Sequence, residues 1–329
     1  MMYGEVNGRR PRVLMLHSGG TLGMEASLSF EQDGDLREGS GGVYEDKLQP
    51  GRFLENVLGL VPELSMLGAD LQLQVWCNVD SCRLVPSDWS AMARELDRQR
   101  NAFDSFVVIT GTDTLAYVAS ALSFMLVGFN KPVVVTGSQR PLSMARSDAR
   151  QNLADAVTCA VDGIGFVREV CVCFGGLLLR GNRTKKTHSI AYRAFSSPTF
   201  PPLARLGMDI IFRHDLLLPE MEYTPRFDIC PYVMRVPVVP GLDPYLAYGS
   251  VAERGIRGVI LEVFGVGNCD DRDEAGWIPW VRDMRVEGVE FFLTSQCEDG
   301  HLYPDRYRSG KAALLLGAKN SKLMTCEAA

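Results

Sequence analysis

The sequence predicts an α/β protein in which a larger N-terminal domain, with a doubly wound and mostly parallel sheet, precedes a smaller C-terminal α/β domain. Short apolar runs rich in β-branched residues alternate with longer amphipathic runs, as in βα units. The length of 329 residues is about twice that of a typical domain. The periodicity also loosens in a proline-rich stretch and then resumes. We therefore expect domains at 1–200 and 233–329, joined by a linker at 201–232.

The N-terminal domain is expected to hold five strands of a mostly parallel sheet and three helices. Its helices are typical amphipathic runs, and two of them begin with Ser-Asp, where Ser is a plausible N-cap. The predicted strands are Val13–His17, Leu71–Cys77, Phe106–Thr110, Pro132–Thr136 and Glu169–Phe174. The predicted helices are Ser87–Arg100, Asp113–Gly128 and Ser147–Val161.

The C-terminal domain repeats the alternation on a smaller scale. Its predicted strands are Val233–Val239, Gly258–Phe264 and Val289–Ser295, and its predicted helices are Tyr245–Arg254, Trp277–Glu287 and Tyr307–Leu316.

Composition narrows the class of partner. The formal charge of −6 disfavours nucleic acid and anionic membranes, because both attract clustered positive charge. No apolar run approaches the roughly 20 residues of a membrane span. The nine cysteines are an odd number without the paired spacing of a zinc site, which favours reduced thiols in a cytoplasmic protein. We expect no metal and no cofactor, and a small molecule as the partner.

The first predicted strand runs into the loop Ser18-Gly19-Gly20-Thr21. Ligands of open α/β sheets bind beyond the carboxyl ends of the strands. Two glycines allow a tight turn with accessible main-chain N–H groups, which could stabilise an oxyanion beside a hydroxyl nucleophile. The alternative is that Ser18 or Thr21 only caps a helix or satisfies a turn.

A second loop with the same character, Gly111-Thr112-Asp113-Thr114, follows the third strand. A hydroxyl beside a carboxylate can bind an amine or orient a base. Capping of the next helix by Thr112 or Asp113 explains the same residues.

A third element, "RGNRTKKTHS", carries Lys185 and Lys186 near two arginines. A lysine among cations is a candidate base, although a carboxylate such as Asp113 would oppose that role. A solvated basic hairpin is the competing interpretation.

Taken in order, "SGGTLGM", "GTDTLAYVASALSFML", "KPVVVTGSQRPLSMARSDARQNLADAV", "RGNRTKKTH", "FSSPTFPPL" and "FGVGN" resemble the bacterial-type L-asparaginases, specifically their cytoplasmic type I branch. The similarity runs from about residue 12 to about residue 326. The resemblance implies hydrolysis of L-asparagine to L-aspartate and ammonia through an acyl-enzyme, without metal or cofactor. It also implies a homodimer or homotetramer with active sites at a subunit interface, and L-glutamine is the other candidate substrate.

The resemblance assigns roles residue by residue. Ser18 falls on the nucleophilic threonine of the family and Thr112 on its second catalytic threonine. Asp113 matches the aspartate that holds the α-amino group of the substrate, and Lys186 matches the lysine that works with Thr112.

The substrate carboxylate and the first loop complete the expected site. Ser81 falls on the serine that binds the α-carboxylate, with Asp80 beside it, and Gly19, Gly20 and Thr21 support the loop.

The chain departs from the family in four places. Serine stands at position 18, so the methyl group that restricts χ1 is lost. A tyrosine expected about ten residues later, in a lid, is replaced by a segment with Phe30, which has no phenolic hydroxyl. Cys82 and Arg83 follow Ser81 where small polar or acidic residues are usual, and relatives continue beyond "LMTCEAA" into a further helix that covers apolar surface.

Two other functions are kept beside hydrolysis. One is an inactive or weakly active relative that binds an amino acid, suggested by the changes at position 18 and in the lid. The other is the ammonia-releasing subunit of a tRNA-dependent amidotransferase.

Overall fold

The structure, a computed structural model, describes residues 8–23 and 57–329. Its larger sheet has eight strands in the order β10-β9-β6-β5-β4-β3-β1-β2, and a separate two-stranded ribbon pairs β7 with β8. The strands are β1 (Arg12–Gly19), β2 (Asp70–Val79), β3 (Ser105–Ile109), β4 (Val133–Thr136), β5 (Val170–Phe174), β6 (Leu177–Arg180), β7 (Lys185–Lys186), β8 (Phe195–Ser196), β9 (Ala204–Leu206) and β10 (Ile210–Phe212).

The five strands predicted for the N-terminal domain are confirmed, and β1 to β5 run parallel. Strands β6, β9 and β10 extend the sheet in antiparallel pairings. The inner strands are buried along their whole length, which explains their nearly continuous apolar sequences.

Four described helices belong to this domain: α1 (Val57–Leu60), α2 (Pro86–Gln99), α3 (Leu115–Met125) and α4 (Ala149–Asp162). Helices α2 and α3 share one apolar core with one face of the sheet, and α4 packs into a second core on the other face. The doubly wound arrangement expected from the sequence is therefore confirmed.

The start of α2 differs from the prediction that Ser87 caps it. The helix begins with Pro86 at its first turn, where the missing N–H costs nothing. The Asp88 carboxylate accepts a 2.8 Å hydrogen bond from the main-chain N–H of Val85, so the proline and Asp88 set this helix end.

Part of the segment expected to be a linker is regular structure. Strands β9 and β10 lie between residues 201 and 232, and β9 pairs with β6 in the large sheet. Each strand has only three residues, too few to show a period among the surrounding prolines. After Phe212 the connection contains a 3-10 turn at His214–Leu216 and is otherwise irregular up to residue 232.

The C-terminal domain has a four-stranded parallel sheet in the order β11-β12-β13-β14. Helix α5 is shorter than predicted, because Gly249, with φ 59° and ψ −149°, ends it. The domain comprises β11 (Val233–Pro237), α5 (Pro244–Tyr248), β12 (Gly258–Val263), α6 (Trp277–Val286), β13 (Glu290–Ser295), α7 (Arg308–Leu315) and β14 (Lys319–Asn320).

The strand order places a crevice at one edge of the large sheet. Strand β1 lies between β2 and β3, so the chain crosses over β1 on its way from β2 to β3. Such reversals open a crevice at the carboxyl ends of the strands. The loops after β1, β2 and β3 therefore meet there. Within the described ranges, no helix has the length and apolar character needed to cross a membrane.

Candidate active site

Close contact between glycines brings the first two loops together. Gly19 and Gly20 have φ values of 111° and 90°, which side-chain-bearing residues rarely adopt. A Cβ on Gly20 would lie 2.4 Å from the Cα of Gly111, and one on Gly19 would lie 2.1 Å from the carbonyl oxygen of Val79. The glycines thus let the β1 loop contact the ends of β2 and β3.

Lys186 joins the two polar side chains of the second loop. Its Nζ donates to Thr112 Oγ1 at 2.9 Å and to Asp113 Oδ1 at 2.6 Å. Thr112 is buried, whereas the Asp113 side chain is 70% exposed. A buried hydroxyl and an exposed carboxylate therefore share one ammonium group.

Helix capping does not explain Thr112 and Asp113. Helix α3 begins at Leu115, and its N-cap residue Thr114 makes no capping hydrogen bond with its side chain. The Thr114 hydroxyl instead donates to the main-chain carbonyl of Ser81 at 2.9 Å. The polar atoms of the second loop are thus directed at other loops and at Lys186.

Ser81 and Asp80 lie at the end of β2 beside the second loop. Ser81 is buried, and a Cβ on Gly111 would lie 2.6 Å from its hydroxyl oxygen. The Asp80 carboxylate accepts a 3.0 Å hydrogen bond from the main-chain N–H of Cys82 and so caps the 3-10 turn that holds Ser81. The sequence-predicted residues of the β2 and β3 loops are therefore neighbours.

Ser18, by contrast, is enclosed in the sheet. It is 0% exposed within β1, and its hydroxyl donates to the main-chain carbonyl of Ile109 at 3.1 Å. A hydroxyl in this position links β1 to β3 and has no exposed surface. Thr21, one residue beyond the Gly20–Gly111 contact, is partly exposed.

His17 is a buried neighbour of the first loop that sequence reasoning gave no role. Its Nδ1 accepts a 3.2 Å hydrogen bond from the main-chain N–H of Gly19. Burial lowers the pKa of His17 to about 4, so the imidazole is neutral at neutral pH. The side chain holds the glycine turn without adding charge.

The basic hairpin separates its two lysines. Both lie on β7, where successive side chains point to opposite sides. Lys186 contacts Thr112 and Asp113, whereas Lys185 forms an ion pair with Glu298 of the C-terminal domain at 3.2 Å. The hairpin is thus more than a solvated basic surface.

Gln139, which follows β4, contacts Thr112, and sequence reasoning gave it no role. Its side-chain oxygen lies 3.1 Å from Thr112 Oγ1 and accepts the hydroxyl proton. The residue lies within the motif "TGSQRPL", which carried the family resemblance but had no assigned role. No charge or spacing in the sequence links it to Thr112.

Two expectations concern other parts of the site. The segment in which the family has its lid tyrosine, including Phe30, lies outside the described residues. Across residues 8–23 and 57–329, no group of three or more His, Cys, Asp or Glu side chains could hold a metal ion. All nine cysteines are free thiols.

Comparison with known proteins agrees with this architecture. The family models "Asparaginase, N-terminal" and "Glutaminase/Asparaginase C-terminal domain" match residues 12–217 and 232–329. The first match extends through β10, in keeping with the pairing of β9 in the large sheet.

Curated relatives and a solved structure match nearly the whole chain. The 60 kDa lysophospholipase of Mus musculus is 31% identical over 98% of this chain, which spans 58% of that protein's length. L-asparaginase 1 of Escherichia coli strain K12 is 30% identical over 97% of this chain and 90% of its own. The thermostable L-asparaginase structure from Thermococcus kodakarensis superimposes with a TM-score of 0.81 and 30% identity, covering 96% of this chain and 90% of that one. On these matches, and on a two-sheet fold with its polar loops gathered at one crevice, the chain belongs to the asparaginase family of enzymes.

Proposed function

We propose that the protein hydrolyses the side-chain amide of L-asparagine to L-aspartate and ammonia. The observation that carries the proposal is the contact of Lys186 with both Thr112 and Asp113, beside the Gly20–Gly111 junction. The cluster offers a proton-transfer pair and a carboxylate at the carboxyl ends of neighbouring parallel strands. Family membership supplies asparagine as the substrate class.

We infer that Thr21, rather than Ser18, carries the attacking hydroxyl. Ser18 is enclosed in the sheet, and its hydroxyl donates a hydrogen bond to the main-chain carbonyl of Ile109. Thr21 follows the glycine turn at the crevice and is partly exposed. A glycine turn can present main-chain N–H groups beside that hydroxyl, which is the arrangement that stabilises an oxyanion.

The remaining residues divide the binding of the amino acid. We assign the exposed carboxylate of Asp113 to the substrate α-ammonium group, and Ser81, which lies against Gly111, to the α-carboxylate. Asp80 holds the turn that positions Ser81. This division orients the side-chain amide toward the first loop.

The reaction proceeds in two steps that balance in atoms and protons. The Thr21 oxygen bonds to the amide carbon, the carbon–nitrogen bond breaks, and the hydroxyl proton passes to the leaving nitrogen through the Thr112–Lys186 pair. Water then attacks the ester, and its proton restores the Thr21 hydroxyl. Two such steps replace one difficult displacement.

The test is ammonia release from L-asparagine and L-glutamine, with hydroxylamine added in a parallel reaction. An acyl-enzyme ester partitions between water and hydroxylamine, so we expect ammonia together with the aspartyl hydroxamate. Preference between the two amino acids depends on one methylene group, worth about 1–3 kcal/mol in a pocket.

Two outcomes would overturn parts of this proposal. An enzyme that releases no ammonia, while asparagine raises its Tm, is an amino-acid-binding relative instead. Ammonia release without hydroxamate argues for direct attack of water and against a covalent step.

We propose, further, that the protein assembles as a homodimer or homotetramer. Support comes from family membership and from exposed apolar side chains along one groove, among them Tyr117, Phe124 and Ile229. Sedimentation velocity measures the assembly, and a monomer at micromolar concentration would contradict it.

A further inference from the structure

The Gln139 side chain bridges Thr112 and the main chain at residues 189–191 in a fixed orientation. Its Nε2 donates to the main-chain carbonyls of Ser189 and Ala191, at 2.9 and 3.3 Å. Carbonyl oxygens only accept hydrogen bonds, so the amide nitrogen must face them. The side-chain oxygen of Gln139 is consequently turned toward Thr112.

This orientation fixes the direction of the Thr112 hydroxyl. The Thr112 hydroxyl has one proton to donate. The Lys186 ammonium group, 2.9 Å away, can only donate to the Thr112 oxygen and cannot accept that proton. The hydroxyl proton therefore goes to Gln139 Oε1 at 3.1 Å. A lone pair of Thr112 is left facing Lys186.

The main chain of Gln139 is itself held firmly. The carboxylate of Asp148 accepts hydrogen bonds from the main-chain N–H groups of Gln139 and Arg140, at 3.0 and 3.1 Å. The same carboxylate accepts a 3.0 Å bond from the side-chain amide of Asn152 on α4. The main chain of Gln139 is thus fixed to the start of α4 independently of its contact with Thr112.

We propose that Gln139 is a positioning residue that accepts the Thr112 hydroxyl proton and so keeps a lone pair of the Thr112 oxygen turned toward Lys186. The inference rests on the proposed function, because it concerns proton transfer by the Thr112–Lys186 pair. Without an acceptor at position 139, the hydroxyl of Thr112 rotates freely and the pair spends less time in its working geometry. The effect falls on the chemical step, because the Gln139 side chain bonds to Thr112 and to two main-chain carbonyls rather than to Asp113 or Ser81, the groups assigned to the α-ammonium and α-carboxylate.

The test compares three variants of the full-length enzyme in asparagine hydrolysis. Gln139→Met has similar length and loses both the acceptor and the tether to the 189–191 carbonyls. Gln139→Glu keeps an oxygen for Thr112 but loses the donors of the tether. Gln151→Met is the control, because Gln151 is an exposed glutamine of α4 whose amide donates to Asp155 on the same helix.

We expect Gln139→Met to lower kcat by about tenfold, the cost of one lost hydrogen bond, with KM changed by less than about twofold. Gln139→Glu should keep a kcat well above that of Gln139→Met, and Gln151→Met should match the wild type. Equal losses of kcat in both Gln139 variants would assign the effect to the tether and overturn the proposal.

Other results overturn it as well. A rise in KM at unchanged kcat would place Gln139 in substrate binding. Unchanged kcat and KM in Gln139→Met would show that Gln139 has no role in the reaction. A wild type that releases no ammonia refutes the proposed function itself, which distinguishes that failure from an active wild type that is indifferent to position 139.

Discussion

Lys186 Nζ lies 2.9 Å from Thr112 Oγ1 although 74 residues separate them in the chain. The contact joins the short ribbon β7–β8 to the carboxyl end of β3. Only the fold brings this ammonium group and this hydroxyl together. The contribution of this contact to catalysis can be measured by substituting one residue at a time.

Lys186→Met should nearly abolish hydrolysis. Positioned acid–base groups contribute about 10²- to 10⁴-fold to rate, so kcat for asparagine should fall within that range. Lys185→Met provides the matched control, because Lys185 pairs with Glu298 and points away from Thr112. Steady-state kinetics with both variants decide the matter. Similar losses in the two would show that only the total charge of the hairpin is important.

The two hydroxyls of the first loop should separate in function and stability. Thr21→Val is expected to abolish activity without lowering Tm, because the side chain is partly exposed. Ser18→Ala should keep activity but lose about 1 kcal/mol of unfolding free energy, since it removes a buried hydrogen bond to Ile109. Ammonia release and urea denaturation measure the two effects. Loss of activity in Ser18→Ala at unchanged stability would return the nucleophile to Ser18.

The sequence predicted the sheet better than the site. The inner strands are apolar and uninterrupted, and their bounds differ from the prediction by only a few residues. The resemblance pointed to Thr112, Asp113 and Lys186, which the structure brings together. Our proposal of Thr21 over Ser18 rests on burial, and burial depends on how β1 lies between its neighbours. A motif of two hydroxyls around two glycines carries no such information.

Gln139 shows a second limit of sequence reasoning. Its contacts with Thr112 and with the carbonyl of Ser189 span 27 and 50 residues. A neutral amide has no charge pattern or metal-ligand spacing from which a partner could be predicted. Strands β9 and β10 escaped prediction for a related reason, because strands of three residues are too short to display a period.

Gly20→Ala should disrupt the junction of the two loops more than backbone strain alone. The new Cβ would lie 2.4 Å from the Cα of Gly111, at a φ of 90°. Gly165→Ala is the matched control, since Gly165 has a φ of 92° and nothing within 4 Å of the added atom. Each change stores about 1–3 kcal/mol of backbone strain. Only Gly20→Ala should also abolish hydrolysis and lower Tm further, and equal Tm values with retained activity would contradict the close contact.

His17 should make the protein less stable in mild acid. Burial lowers its pKa from 6.5 to about 4, so below pH 6.5 the unfolded chain takes up a proton that the folded protein does not. The free energy of unfolding should therefore fall by about 1.4 kcal/mol per pH unit between pH 6.5 and pH 4 on account of this group. His17→Asn keeps an acceptor for the N–H of Gly19 and removes the titration. Urea denaturation across this range should show wild type and variant converging as pH falls, whereas parallel curves would mean that His17 titrates alike in both states.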